Sequence, residues 1–264
     1  MFIEFALYLL LGGVVGVLAG LLGVGGGLII VPVLATLFST LGMPTDIIMH
    51  LALGTSLASI LGTSLASVYS HHKHAAVNWG TAIKLSPGIL LGAWLGAILA
   101  SVLSSDFLRP VFACFELLVA MYMLWGGKVS PHKGSPSLVN FSLSGGAIGF
   151  VSSLVGIGGG TMSVPWLIWH GSTIHKAIAT SAALGFPIAL SATLGYIFSG
   201  WNHPLQPEHS FGFIYLPALG GIILSSIIFA PIGATLAHRM RVEKLRKIFA
   251  LLLIVLAAYL LASS

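Results

Sequence analysis

The chain has 264 residues, of which 57% are hydrophobic and only 6% are charged, and its formal charge is +5. Soluble domains carry roughly 25% charged residues, so this composition excludes a soluble fold, and the small positive charge argues against nucleic-acid binding. A single cysteine, Cys114, excludes an intrachain disulfide framework and a cysteine metal cluster.

Apolar runs follow one another along the whole chain, as a polytopic helical membrane protein requires. The runs of the first half cover residues 5–37, 47–69, 82–103 and 108–125. Those of the second half cover residues 141–169, 177–199, 213–236 and 245–262. We therefore predict an all-α polytopic membrane protein with a first repeat over 1–127, a cytoplasmic linker over 128–139 and a second repeat over 140–264. The first residues carry Glu4 and no basic cluster, so we expect no cleaved signal peptide.

A glycine-rich motif interrupts the first apolar run of each half. GVGGG at 23–27 is followed by Val-Pro at 31–32, and GIGGG at 156–160 is followed by Val-Pro at 164–165. Clustered glycines free the backbone to leave the helix, which hydrocarbon tolerates only where the freed groups face protein or a polar cavity. Paired breaks at corresponding positions of two halves indicate the substrate site of a transporter.

The duplication extends well beyond the glycines. A first block matches the second half at a constant offset of 125 residues and contains His50, Thr55 and Ser56 against His175, Thr180 and Ser181. A later block, with Arg109 against Arg246 and Tyr122 against Tyr259, matches at an offset of 137. Constant spacing within blocks, with shifts only in connecting segments, indicates duplicated units.

The eleven Lys and Arg residues distinguish two arrangements of the broken runs. If each broken run crosses the membrane once, the halves are parallel and the cations divide seven against four. If each returns to its starting side, the halves are inverted and only Arg109 lies opposite the other ten. Ten against one agrees with the positive-inside rule, so we predict two inverted repeats with both termini outside. Each repeat is then a glycine-broken helical hairpin plus three transmembrane helices, and the run lengths fit either a re-entrant hairpin or one full plus one short crossing.

The breaks predict an anion site near the midplane. The residues after Gly27 and Gly160 start new half-helices, whose free N–H groups and positive dipole ends attract an oxyanion. Hydroxyl groups on the following spans are suited to donate to the same ligand. The predicted substrate-binding residues are Gly25, Gly26, Gly27, Gly158, Gly159, Gly160, Thr55, Ser56, Thr180 and Ser181. The alternatives are close helix packing at the glycines and back-bonding of the hydroxyls to their own helix.

Three titratable residues are candidates for gating or proton linkage. His50 and His175 occupy equivalent positions that inversion places near opposite faces, where interfacial or capping roles are the alternative. Glu116 is the only acidic residue deep in a predicted span, and its counterpart is Leu253. A divalent metal permease that uses the histidines is the alternative function, although the spans lack the Asp, Glu or Cys clusters that it needs. We expect no catalytic constellation, no cofactor and no bound metal.

The twin G-[VI]-G-G-G-x3-V-P motifs, the Gly-Thr-Ser at 54–56 and the Ala-Thr-Ser at 179–181 resemble those of the TauE/SafE family of sulfite and organosulfonate exporters. The resemblance covers essentially the whole chain. It implies transport of a small sulfur-containing anion, such as sulfite, sulfoacetate or a related sulfonate, across the inner membrane. Export by alternating access is the expected direction and mechanism. The implied partners are the small anion and the lipid bilayer, and the oligomeric state stays open.

Overall fold

A computed structural model describes residues 2–22, 26–73, 75–126, 137–237 and 242–262. In these ranges each half forms five α-helices. Those of the first half are α1 (Phe2–Leu22), α2 (Gly27–Thr40), α3 (Ile48–Lys73), α4 (Trp79–Val102) and α5 (Ser105–Trp125). Those of the second half are α6 (Leu138–Leu154), α7 (Gly160–Trp169), α8 (Ile174–Gly200), α9 (Leu216–Ala237) and α10 (Val242–Ala262). The prediction of an all-α chain is confirmed.

Two short elements accompany the helices. A 3-10 turn, Thr45–Ile47, leads into α3. A small antiparallel hairpin pairs β1 (Ser210–Phe211) with β2 (Ile214–Tyr215). Because of this hairpin α9 begins at Leu216, three residues after the start of the predicted span at 213. Gly25, most of the predicted linker and the cations Arg239 and Arg241 lie outside the described residues.

Several of the helices suit a bilayer. Among the described residues, the segments long and apolar enough to cross a membrane are Thr45–Lys73, Trp79–Val102, Ser105–Trp125 and Ile174–Gly200. Shorter apolar helices are Glu4–Ala19, Gly27–Thr40, Leu138–Leu154, Leu216–Ala230 and Lys247–Ala262. A multi-pass membrane protein is therefore confirmed.

Each broken run folds back at its glycines. In the second half, Phe141 near the start of α6 packs against Trp166 near the end of α7, with ring centroids 5.7 Å apart. In the first half, Tyr8 of α1 and Phe38 of α2 both pack on the ring of Tyr215, at 6.3 and 5.5 Å. The outer ends of the two arms thus lie together in both hairpins. The return arms α2 and α7 have 14 and 10 residues, or about 21 and 15 Å of helix.

One helix of each half packs against a helix of the other half, and we call α1–α9 and α4–α6 the exchanged pairs. Helix α1 of the first half lies along α9, and α6 of the second half lies along α4. The sequence offsets align α1 with α6 and α4 with α9, so the two contacts are between equivalent pairs of segments. Helices α3 and α8 pack against each other at the centre of the bundle. In the most apolar 18-residue stretch of each, 67% is buried, compared with 39% for α4 and 28% for α5.

Small residues permit the close approach of α4 and α6, as is common between membrane helices. A Cβ atom at Gly92 would overlap the backbone of Gly146, and one at Gly88 would overlap the carbonyl of Ser142. The equivalent α1–α9 contact depends on Gly16, where a Cβ atom would meet the backbone of Ser226. Backbone contact therefore joins the halves along both exchanged pairs.

We expect Gly92→Ala to lower the unfolding temperature of the protein in detergent. The new Cβ would lie 2.8 Å from the Cα of Gly146, and such overpacking typically costs about 1–3 kcal/mol. Gly220→Ala in α9 is the matched control, because nothing lies within 4 Å of its Cβ position. The control should gain up to about 1 kcal/mol from helix propensity. Equal unfolding temperatures for the two variants would contradict the close α4–α6 approach.

Candidate functional site

Two glycines in a left-handed conformation start the return arms of the hairpins. Gly26 and Gly159 have φ angles of 71° and 75° and are the N-cap residues of α2 and α7. A residue with a Cβ atom rarely adopts this conformation. The motif therefore has glycine where the backbone must reverse, at the same position of each half.

The first turns of α2 and α7 present backbone donors. Ile29 and Ile30 donate to the Gly26 carbonyl, and Met162 and Ser163 donate to that of Gly159, at 2.8 to 3.1 Å. The N–H groups of the first two residues of each helix, 27–28 in α2 and 160–161 in α7, have no intrahelical acceptor. They add to the positive end of the helix dipole, which favours an anion.

The two breaks touch each other. A Cβ atom at Gly27 would overlap the carbonyl of Gly156 and would lie 2.9 Å from the Cα of Ile157. The hydroxyl of Ser56, on α3, donates to the same Gly156 carbonyl at 2.8 Å. Gly158 lies against α8, because a Cβ atom at Gly185 would be 3.3 Å from the Gly158 carbonyl oxygen. Residues of the first half thus help to form the break of the second.

The threonines of the predicted site make equivalent contacts. Thr55 Oγ1 accepts a hydrogen bond from the backbone N–H of Tyr215, and Thr180 Oγ1 accepts one from that of Asn78, both at 2.9 Å. Tyr215 and Asn78 correspond at the offset of 137, and each directly precedes the fourth helix of its half. Both threonines are buried. Each threonine therefore anchors the start of a helix in the other half.

The serines of the predicted site form hydrogen bonds at the break of the second half. Ser181 Oγ lies 2.6 Å from Ser163 Oγ, and Ser163 Oγ donates to the Gly159 carbonyl at 2.9 Å. The phenol of Tyr196 donates to the Ser153 carbonyl at 3.1 Å, and the Ile157 N–H donates to that of Ser152 at 2.9 Å. With the Ser56 bond, four carbonyls of this break have donors, namely those of Ser152, Ser153, Gly156 and Gly159.

Sequence reasoning missed Ser152, Ser163 and Tyr196. The available signal was the run of hydroxyl residues around the second glycine motif, in a segment that is otherwise apolar. Ser152 is completely buried, and its Oγ has no hydrogen-bond partner among the described residues. A buried hydroxyl in this state is uncommon in folded proteins.

The equivalent histidines differ in environment. His50 is buried, with Nε2 3.0 Å from the Leu103 carbonyl oxygen and its ring packed on Phe213 at 5.0 Å. It lines a cavity of about 500 Å³ together with His203 and Asp46, among others. His175 is exposed. The described residues contain no group of three or more His, Cys, Asp or Glu side chains arranged to hold a metal ion.

Glu116 lies apart from the breaks. It is completely buried on α5, and neither carboxylate oxygen has a hydrogen-bond partner within the described ranges. Helix α5 packs against α10, which carries the counterpart Leu253. The structure therefore buries this carboxyl group on α5, a helix that packs mainly against α10.

Paired interior helix breaks in an apolar bundle are typical of membrane transporters. The chain matches the profile of the family described as "Sulfite exporter TauE/SafE" over residues 8–260, and it belongs to that family. The resemblance seen in the motifs is confirmed.

Curated relatives carry transporter names. A "Probable membrane transporter protein" of Haemophilus influenzae is 39% identical over 259 residues, which cover 97% of this chain and 98% of the relative. One of Methanocaldococcus jannaschii is 25% identical over 97% of this chain and 94% of its own. The Bacillus subtilis protein YunE is 28% identical over 75% of this chain and 80% of its own. These are names of membrane transporters and not of enzymes, and no solved structure matches the chain.

We expect Thr55→Val and Thr180→Val to destabilise the protein by similar amounts. Each variant removes the acceptor of a backbone N–H, and such a hydrogen bond contributes about 1 kcal/mol. Thr55→Ser and Thr180→Ser keep the acceptor and are the controls. The unfolding temperature and the amide hydrogen exchange of Tyr215 and Asn78 are the measurements. Valine variants with wild-type exchange at these two amides would refute the anchoring role.

Proposed function

We propose that the protein is a secondary transporter that exports a small sulfur-containing anion, such as sulfite, sulfoacetate or a related organosulfonate, across the inner membrane. The observation that carries the proposal is the contact between two helix breaks, each of which starts a helix at a left-handed glycine. The family description names a sulfite exporter, and the geometry suits an anion. Alternating access around this contact is the proposed mechanism.

The hydrogen bonds of the break favour an anion over a cation. A metal ion needs oxygen, nitrogen or sulfur ligands, and the described residues hold no group of three or more His, Cys, Asp or Glu side chains arranged for one. The N–H groups at the starts of α2 and α7 supply donors and positive dipole ends instead. Binding of sulfite by the purified protein in calorimetry, with nickel and zinc as the competing candidates, tests this preference directly.

The contacts at the ends of the bundle support the inverted arrangement. If each broken run crossed the membrane once, the loops that carry Asp46 and His203 would lie on opposite sides. In the structure, residues 46, 106 and 203–205 line one cavity. The contact between Phe141 and Trp166 likewise brings together the two outer ends of one hairpin. An anion site between two such hairpins would be reached from either face.

We expect alanine at the helix-starting glycines to reduce transport strongly. Gly26→Ala and Gly159→Ala force a left-handed conformation on a Cβ residue and push that atom against Val15 or Ile188. Small displacements of binding groups are costly, so sulfite flux in proteoliposomes should fall by roughly tenfold or more.

The controls for these variants are Gly42→Ala and Gly171→Ala, at the opposite ends of α2 and α7. Both glycines have a positive φ, 70° and 84°, but nothing lies within 4 Å of their Cβ positions. Backbone strain of about 1–3 kcal/mol is therefore common to all four variants. Retained flux in the controls and lost flux in the other two assigns the loss to the break. Equal loss in all four contradicts the proposed site.

We expect export of sulfite from proteoliposomes to respond to membrane potential. A divalent anion that leaves an inside-negative compartment gains about twice 2.3 kcal/mol per 100 mV. Efflux of labelled sulfite should accelerate when a potassium diffusion potential makes the lumen negative. Efflux that ignores voltage contradicts electrogenic export. Flux that follows an imposed pH gradient points instead to proton coupling through His50, His175 or Glu116.

A further inference from the structure

We infer that the transported anion binds at the break of the second half, and that the hydroxyl of Ser152 donates a hydrogen bond to it. The inference rests on the proposed function and adds an asymmetry to it. The glycines of the motif are duplicated, but the hydroxyl groups around them are not. The site therefore belongs mainly to the hairpin of α6 and α7, with α2 and α3 closing it from the other half.

The asymmetry is visible when the two breaks are aligned at the offset of 133 residues. The second break carries hydroxyls at Ser152, Thr161 and Ser163, and the corresponding residues of the first break are Ala19, Leu28 and Ile30. The first break offers the same helix start but apolar side chains. Only the second break combines a helix start with hydroxyl donors.

Ser152 is the hydroxyl best placed to contact a ligand. It is completely buried and its Oγ has no hydrogen-bond partner in the described part of the chain. A Cβ atom built on Gly159, the N-cap of α7, would lie 3.4 Å from this Oγ. The hydroxyl thus lies beside the N-cap of a ten-residue helix. Burial of an unpartnered donor is costly, and an anion at the helix start would satisfy it.

The other serine hydroxyls near this break already have partners. Ser163 donates to the Gly159 carbonyl and is bridged by Ser181, while Ser56 donates to the Gly156 carbonyl. A free carbonyl oxygen would repel an anion. These two carbonyl oxygens instead accept hydrogen bonds from the serine hydroxyls. Ser163 and Ser56 are therefore positioning residues. The hydroxyls of Ser152 and Thr161 have no partner in the described part of the chain, and we assign binding to Ser152 because it is the completely buried one.

The donors suit a small ligand with several oxygens on one atom. The first N–H groups of α7, at Gly160 and Thr161, precede the intrahelical bonds that Met162 and Ser163 donate. Together with Ser152 they provide three donors, and sulfite and sulfonates each carry three oxygens on sulfur. Hydrogen bonds to a charged group are stronger than those to a neutral one, so each donor contributes to affinity.

The test is calorimetric titration of sulfite and of sulfoacetate into purified wild-type protein and the variant Ser152→Ala. Loss of one charge-assisted hydrogen bond should weaken binding by roughly tenfold to a hundredfold. Ser226→Ala is the matched control, because Ser226 is equally buried, bonds to its own helix and packs on Gly16 of α1. The control should bind like the wild type.

Thermal unfolding without ligand supplies an independent readout. Removal of an unpartnered buried hydroxyl should leave the unfolding temperature of Ser152→Ala unchanged or raise it, whereas a structural serine would lower it. A weakened but stable variant supports the inference. If the wild type binds sulfite and Ser152→Ala binds it equally, the asymmetric site is refuted while the proposed function stands. If the wild type binds neither anion, the proposed function fails and the inference fails with it.

Discussion

The structure depends on how a helix break is satisfied inside an apolar bundle. Backbone N–H and C=O groups must find partners when water is absent. At the break of the second half the carbonyls of Gly156 and Gly159 accept hydroxyl protons from Ser56 and Ser163. The donors of the new helix start remain. The paired carbonyls stabilise the break, and the first N–H groups of α7, which have no intrahelical acceptor, suit an anion.

This constraint explains why α3 and α8 occupy the centre. Adjacent residues of α3 reach two parts of the second half, Thr55 to the start of α9 and Ser56 to the glycine break. Thr180 of α8 reaches back to the start of α4 in the same way. The central pair therefore joins the break of the second half to the starts of α4 and α9 through hydrogen bonds.

Much of the fold follows from the sequence, because composition, run length and the twin motifs act through local rules. The hydrophobic runs predicted an all-α membrane protein, and the duplicated glycines predicted helix starts that the structure has at Gly27 and Gly160. The partners of Thr55 and Thr180 could not be predicted in this way. Their hydrogen bonds join residues 160 and 102 positions apart, and only the exchange of helices between halves brings them together.

The duplication and its divergence make separate contributions to the site. Glycine recurs at Gly26 and Gly159 because a left-handed residue at a helix start restricts the side chain in either half. The flanking positions carry no such restriction, and there one half has Ser152 where the other has Ala19. A buried hydroxyl without a protein partner costs free energy. We infer that a ligand accounts for its occurrence beside one of the two breaks, since α2 begins after the left-handed Gly26 without such a hydroxyl.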